Sequence, residues 1–308
     1  MPSAHNLLDP ARLKSFVVPE GKRATIYGHD VSYADYPDDT APRSKPAILY
    51  FHGWGDGFEA GLPREYCLAD AGFRIVMPNR PGYGGTSTAL GTSAAACAEM
   101  ARGLLDALGI DRVHVMGTSG GGPAALAFAS AHRRRTKALV LQCAVTHPWS
   151  AADGKRYVPR LVQDDWDGAS NEAFEAALAS KFGAIGSEDA LLNAIVGVRK
   201  PEVEADPAYR EYMASLRPTL DAAHKAGKDS DIENVFLTVA GYFSGEMPPT
   251  LIIHDPQDPL VPFVHASYAN VNIEQSSVLT TNGGHFMWLG SESVRLGKER
   301  IEFLKQHA

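Results

Sequence analysis

Val113-His114-Val115-Met116-Gly117-Thr118-Ser119-Gly120-Gly121-Gly122-Pro123 is the stretch on which the reading of this 308-residue chain turns. A short apolar run enters a glycine-rich turn, and residues 122–132 continue as a helix. The turn carries the pattern Gly-x-Ser-x-Gly. In it a serine occupies a tight, strained strand-to-helix bend that only glycine-sized neighbours clear, so Ser119 would project from the carboxyl edge of a sheet. Gly-Thr-Ser also occurs at residues 85–87 and 91–93, but only the copy at 117–119 stands between a strand and a helix. That context, rather than the bare pattern, carries the inference. Phosphate-binding loops fail on residue identity: a dinucleotide fingerprint needs glycine where Ser119 stands, and a P-loop needs lysine where Pro123 follows Gly122. The bland alternative is a turn serving only close helix packing.

Outward from this stretch, further apolar runs at 47–51, 73–77, 138–143, 250–253 and 277–280 each end at a turn or polar cluster. Helical stretches at 94–108 and 294–306 fall between and after them, which predicts an α/β fold with a mostly parallel, doubly wound sheet. Residues 23–27 and 31–36 flank a turn at 28–30 and read as an N-terminal hairpin. The alternation stops after Cys143. Helices are expected at 171–182, 187–198, 208–225 and 231–243, until Pro248-Pro249 halts the last and strand character resumes at Thr250. The expected organisation is a catalytic domain from 1–144 and 248–308, interrupted by an all-helical insertion at 145–247.

Composition narrows the partners. Hydrophobic residues make up 44% and charged residues 21%, enough apolar material for a full core. A net charge of −7 argues against nucleic acid as a partner. Residues 145–247 hold 10 basic and 17 acidic residues, while the remainder is balanced at 19 of each, so the whole excess lies in the insertion. Cys67, Cys97 and Cys143 are odd in number and far apart, which suits buried thiols in a reducing compartment rather than disulfides or a zinc pair. With no signal-peptide pattern and no run of about 18 apolar residues, a cytoplasmic protein without a membrane span is expected.

A serine nucleophile needs a base, and the base needs an acid to orient it. His285, in Asn282-Gly283-Gly284-His285-Phe286, follows the last strand and precedes the last helix, which puts it at the same carboxyl edge as Ser119. Most others read as structural: His5 and His307 are terminal, His132 and His224 fall on helices, His114 lies inside a strand, and His265 follows the Asp258 loop. For the acid, the loop from His254 to Pro262 offers Asp255 and Asp258; Asp258 is preferred, because the first residues past a strand shape the turn. An oxyanion needs two convergent backbone N–H groups. Gly120 supplies the first; the loop His52-Gly53-Trp54-Gly55-Asp56-Gly57 after the strand at 47–51 supplies the second through Trp54, with His52 holding the loop by hydrogen bonding.

These residues, with Asn79-Arg80-Pro81-Gly82-Tyr83-Gly84, resemble the α/β-hydrolase family, whose chain order of serine, acid and histidine is reproduced by Ser119, Asp258 and His285. The resemblance implies that the insertion is a cap over the active site and that the turn at 79–84 is structural, without chemistry. Ser119 sets the chain apart from relatives with an aspartate nucleophile, and Gly120 from iminopeptidases with tryptophan after the serine. The expected reaction is acyl transfer to water, requiring neither metal nor organic cofactor, with loss of activity near the unperturbed histidine pKa of about 6.5. A carboxylic ester of a small, neutral, largely apolar molecule is the expected substrate, since an acidic lid disfavours anions and Trp149, Trp166, Phe286 and Trp288 offer apolar walls. Lactone, amide or carbon–carbon bond hydrolysis, cofactor-free haloperoxidase or perhydrolase chemistry, and a non-catalytic receptor are the alternatives on the same frame.

Overall fold

The computed structural model describes residues 16–37, 45–148, 245–290 and 292–308, together with 201, 205, 207, 226, 227, 231 and 240–243. The helices expected between 171 and 225, and Trp149 and Trp166, lie outside the described residues. So does most of the stretch from 231 to 243, whose described end is a short 3-10 turn, Ala240–Phe243.

Eight strands form one sheet: β1 (Lys22–Ile26), β2 (His29–Tyr36), β3 (Ala47–Phe51), β4 (Arg74–Pro78), β5 (Val113–Thr118), β6 (Thr136–Gln142), β7 (Thr250–His254) and β8 (Ser276–Thr280). Their order is β1-β2-β4-β3-β5-β6-β7-β8. β1 pairs antiparallel with β2 and β2 antiparallel with β4, and the other five pairings are parallel. Among the described residues four longer helices flank the sheet: α1 (Ala94–Ala107), α2 (Gly122–Ala131), α3 (Val264–Asn272) and α4 (Glu292–Gln306). α3 and the short helices between residues 58 and 70 have no expected counterpart; for the other described strands and helices, expected and observed boundaries differ by at most two residues, within the fraying of element ends.

The central strands are mostly apolar because both faces are covered. Ile48 and Tyr50 of β3, Met116 of β5 and Val140 of β6 face Leu296, Ile301 and Leu304 of α4 and the short helices between residues 58 and 70. Their neighbours Leu49, Phe51, Val115 and Leu141 face Ala98 and Ala101 of α1 and Leu126 and Phe128 of α2. Sheet topology then selects the site. From β3 the chain moves outward to β4, then crosses back to place β5 on the other side of β3, so a crevice opens at the carboxyl ends of β3 and β5. The segments after β3, β5, β6, β7 and β8 all emerge along that edge. Among the described residues no helix is long and apolar enough to cross a membrane.

Candidate functional site

Ser119 follows β5 directly, in left-handed backbone at φ 50°, a conformation that L side chains rarely adopt. The close approaches around it explain the glycines. A Cβ on Gly121 would lie 2.2 Å from the carbonyl oxygen of Phe51, and one on Gly117 would lie 2.6 Å from Cβ of Ala125. Pro123 stands in the first turn of α2, where its missing N–H has no helical partner to lose. Below the bend, the Thr118 hydroxyl lies 2.5 Å from the Tyr50 hydroxyl and accepts from Gln142 Nε2 at 3.1 Å. Gln142 in turn meets a fully buried pair, Arg300 and Glu65, 2.6 Å apart, and Glu65 also accepts from the Trp288 indole at 3.3 Å. Trp288 is therefore core rather than a wall of the crevice, which corrects the expectation that it lines an apolar pocket. Phe286 belongs to the same cluster.

The loop after β8 brings His285 onto Ser119, with Nε2 3.1 Å from Oγ. On its other side Nδ1 donates to Asp258, 2.9 Å from Oδ2 and 3.1 Å from Oδ1. Asp258 Oδ1 also accepts from the amides of Leu260 and Val261 at 2.8 and 2.9 Å, so the carboxylate is fixed by its own loop. Asp255 points elsewhere: it accepts from the amides of Gln257 at 2.7 Å and Gly284 at 2.6 Å, tying the β7 loop to the β8 loop. His254 bonds the Val261 carbonyl at 2.8 Å, behind Asp258. Cys143, just past β6 at φ 40°, directs its thiol to the His285 carbonyl at 3.5 Å.

Burial opposes charge on His285, but the adjacent Asp258 carboxylate prevails and raises the ring's pKa well above its ordinary value of 6.5. Asp258 moves the opposite way: burial raises it, attraction to His285 outweighs burial, and the pKa ends below the ordinary carboxylate value. The expected midpoint near 6.5 for loss of activity therefore shifts upward. His254 is pulled down by burial and stays neutral. Burial also raises the Cys143 thiol, which is uncharged at neutral pH. Cys143, Asp258 and His285 form the one group of potential metal ligands among the described residues, with ligand atoms within 4.8 Å of one another. Each is already engaged in the hydrogen bonds above.

The loop after β3 packs its backbone on the serine bend. The Trp54 nitrogen lies 3.2 Å from where a Cβ of Gly120 would stand, and a Cβ on Gly53 would meet Ser119 Cβ at 3.4 Å. His52 is buried and organises the loop: its Nε2 accepts from the Arg80 amide at 3.0 Å, and its Nδ1 contacts the Gly53 carbonyl at 2.9 Å and the Gly57 amide at 3.1 Å. Asp56 accepts from the Gly53 amide at 3.3 Å and pairs with Arg64.

The sequence assigns no chemistry to the turn at 79–84, yet Arg80 and Tyr83 both bond the β3 loop and both meet Asp231, a buried residue between β6 and β7. No local pattern announces this, because Arg80 and Asp231 are 151 positions apart. The cavity bordered by Arg80, Gly120, Pro123 and Asp231 is only large enough for a water-sized group.

A family profile described as alpha/beta hydrolase fold matches residues 46–290. Over 259 residues the chain is 29% identical to a Bacillus subtilis protein named "Uncharacterized hydrolase YcgS", covering 77% of this chain and 84% of that one. A shorter match, 35% identical over 103 residues, covers 32% of this chain and 35% of a 2-hydroxy-6-oxononadienedioate/2-hydroxy-6-oxononatrienedioate hydrolase from Paraburkholderia phymatum. Among solved structures, an alpha/beta hydrolase fold protein from Nakamurella multipartita superposes with a TM-score of 0.73 at 24% identity, over 94% of this chain and all of that one.

Proposed function

This chain belongs to the α/β-hydrolase family, and from that premise we propose that it is a serine hydrolase acting through an acyl-enzyme on Ser119. The observation that carries the reading is the continuous relay from Ser119 Oγ to His285 Nε2 at 3.1 Å and from His285 Nδ1 to Asp258 at 2.9 Å, with the serine on a strained bend. In the first half-reaction Ser119 Oγ attacks a carbonyl carbon while His285 Nε2 takes the hydroxyl proton, then returns it to the leaving group. In the second, His285 removes a proton from water, which attacks the acyl carbon and frees Ser119. Asp258 keeps the imidazole in the Nδ1–H tautomer and stabilises the imidazolium. Trp54 and Gly120 amides receive the oxyanion.

The substrate class that fits best is a carboxylic ester of a small, neutral, largely apolar molecule, because the excess negative charge of the chain lies in residues 145–247. That segment is proposed as a cap over the site, with 1–144 and 248–308 as the catalytic domain. The Paraburkholderia relative favours a second reading: its named substrates are dioates, so hydrolysis of a charged oxo-dienoate is the competing assignment. Incubation with a fluorophosphonate probe and mass spectrometry should find the adduct on Ser119, and Ser119→Ala should abolish both labelling and ester turnover. Full turnover by Ser119→Ala would reject the mechanism. Faster turnover of a dienedioate than of neutral butyrate and acetate esters would replace the first substrate class by the second.

A further inference from the structure

We propose that Asp231 is a positioning residue for the Gly53–Trp54 peptide, acting through Arg80 and Tyr83; the inference rests on the serine-hydrolase reading above and assigns a new role within it.

The Gly53 carbonyl and the Trp54 N–H are the two ends of one planar peptide group, so a bond that fixes the oxygen also fixes the direction of the hydrogen. Arg80 supplies one such bond beside that of His52 Nδ1 at 2.9 Å, donating from Nη2 to the Gly53 carbonyl at 3.1 Å and from Nε to the His52 carbonyl at 3.1 Å. On the far side of Trp54, the Gly55 amide donates to the Tyr83 hydroxyl at 3.2 Å. Both holders converge on one carboxylate. Asp231 Oδ2 accepts from Arg80 Nη2 at 2.7 Å and from the Tyr83 hydroxyl at 2.5 Å, and Oδ1 pairs with Arg80 Nη1. The peptide before Trp54 and the amide after it are thus both held by side chains that Asp231 orders.

Packing leaves this assembly little slack. The Arg80 guanidinium lies 5.0 Å above the Tyr83 ring, and that ring meets His52 edge-on at 4.7 Å. Arg80 and Asp231 are both buried, and removing the carboxylate would leave a desolvated guanidinium whose remaining acceptors among the described residues are the loop carbonyls themselves. A second contact joins the same two parts of the chain: the Gly227 amide donates to the Gly82 carbonyl at 3.2 Å, and a Cβ on Gly82 would lie 2.5 Å from the Gly227 nitrogen. The consequence is that a residue from the insertion, far from Ser119 in sequence, aims an amide that the transition state uses.

Asp231→Asn should lower kcat for p-nitrophenyl butyrate by about 30-fold, a fraction of what losing an oxyanion donor costs. KM should stay within about twofold, because the oxyanion exists only in the transition state. Affinity for a trifluoromethyl ketone, which forms a tetrahedral adduct on Ser119, should fall in parallel with kcat. Tyr83→Phe, which spares the ion pair, should give a smaller loss of the same kind, and it carries the test if Asp231→Asn does not fold; Asp231→Glu should recover part of the activity. A readout independent of turnover is the fluorine spectrum of protein labelled with 5-fluorotryptophan, with the Trp54 signal assigned through Trp54→Phe. In Asp231→Asn or Tyr83→Phe the Trp54 signal should move or broaden while Trp288 stays in place. An unmoved Trp54 signal with kcat within about twofold of the wild type overturns the proposal, as does a common displacement of both signals, which marks a merely structural role. If wild-type protein neither hydrolyses esters nor reacts with the fluorophosphonate, the hydrolase reading falls, and the fluorine arm alone decides whether Asp231 holds the loop.

Discussion

Asp258→Asn isolates the orienting role of the acid, because the structure dictates how the new amide must sit. Asp258 Oδ1 accepts from two backbone amides, Leu260 at 2.8 Å and Val261 at 2.9 Å, whereas Oδ2 is the nearer oxygen to His285 Nδ1 at 2.9 Å. An asparagine must keep its carbonyl oxygen toward the two amides, since reversing it would set donor against donor in a buried loop. Its NH2 group then faces His285 and stabilises the tautomer with a bare Nδ1 and a protonated Nε2. In that tautomer Nε2 presents a hydrogen to Ser119 and has no lone pair with which to take its proton. The same isosteric change in a serine triad lowers kcat about 10⁴-fold with geometry intact, equivalent to roughly 5.5 kcal/mol of activation free energy. The assay is p-nitrophenyl butyrate hydrolysis, with a circular dichroism melt to verify folding. Retention of more than about 1% of wild-type kcat would refute the orienting role. A larger loss from Asp255→Asn than from Asp258→Asn would transfer that role to Asp255.

Two further expectations concern pH. His285 is raised by Asp258, so the neutral base is lost as pH falls through a value above 6.5, and the acid limb of kcat/KM should have its midpoint above 6.5 in the wild type; a pH profile with the midpoint below 6 would contradict the close His285–Asp258 pairing. His114, buried in β5 beside Phe73, has its pKa lowered to about 4 by burial first and by Lys137, His307 and Arg112 as further causes. The sign follows: the unfolded chain binds this proton at about 6.5 and the folded one only near 4, so the contribution is present above 6.5 and is lost as pH falls to 4. Its size is on the order of 3 kcal/mol, and His114→Leu should shrink the difference in urea stability between pH 7 and pH 4 by about that amount. An unchanged difference would place the acid sensitivity elsewhere.

The fold was readable because its signals are local. A run such as Ala47–Phe51 is apolar at every position since both faces of a central strand are covered, and the glycine at 117 is required by Ala125 of the helix that follows it in the chain. The positions of Ser119 and His285 followed from the same logic, because parallel strands deliver their following loops to one edge. The Asn79–Gly84 turn escaped. Its glycines and proline mark a turn, but nothing near Arg80 indicates that its partner stands between β6 and β7. Trp288 escaped for a related reason: adjacency to His285 in sequence says nothing about direction, and the indole turns inward to Glu65.

Sequence alone therefore determined the strand-and-helix rhythm, the strained serine bend, and the order of serine, acid and histidine, all of which depend on residue type and short spacing. Only tertiary structure decided which aspartate meets His285, in which direction that carboxylate shifts the imidazole, and which buried charges meet the Gly53–Trp54 peptide. The physical reason is range. Backbone conformation and side-chain alternation are written within a few residues, whereas hydrogen bonds such as Arg80 to Asp231 join positions 151 apart and exist only once the chain has closed on itself.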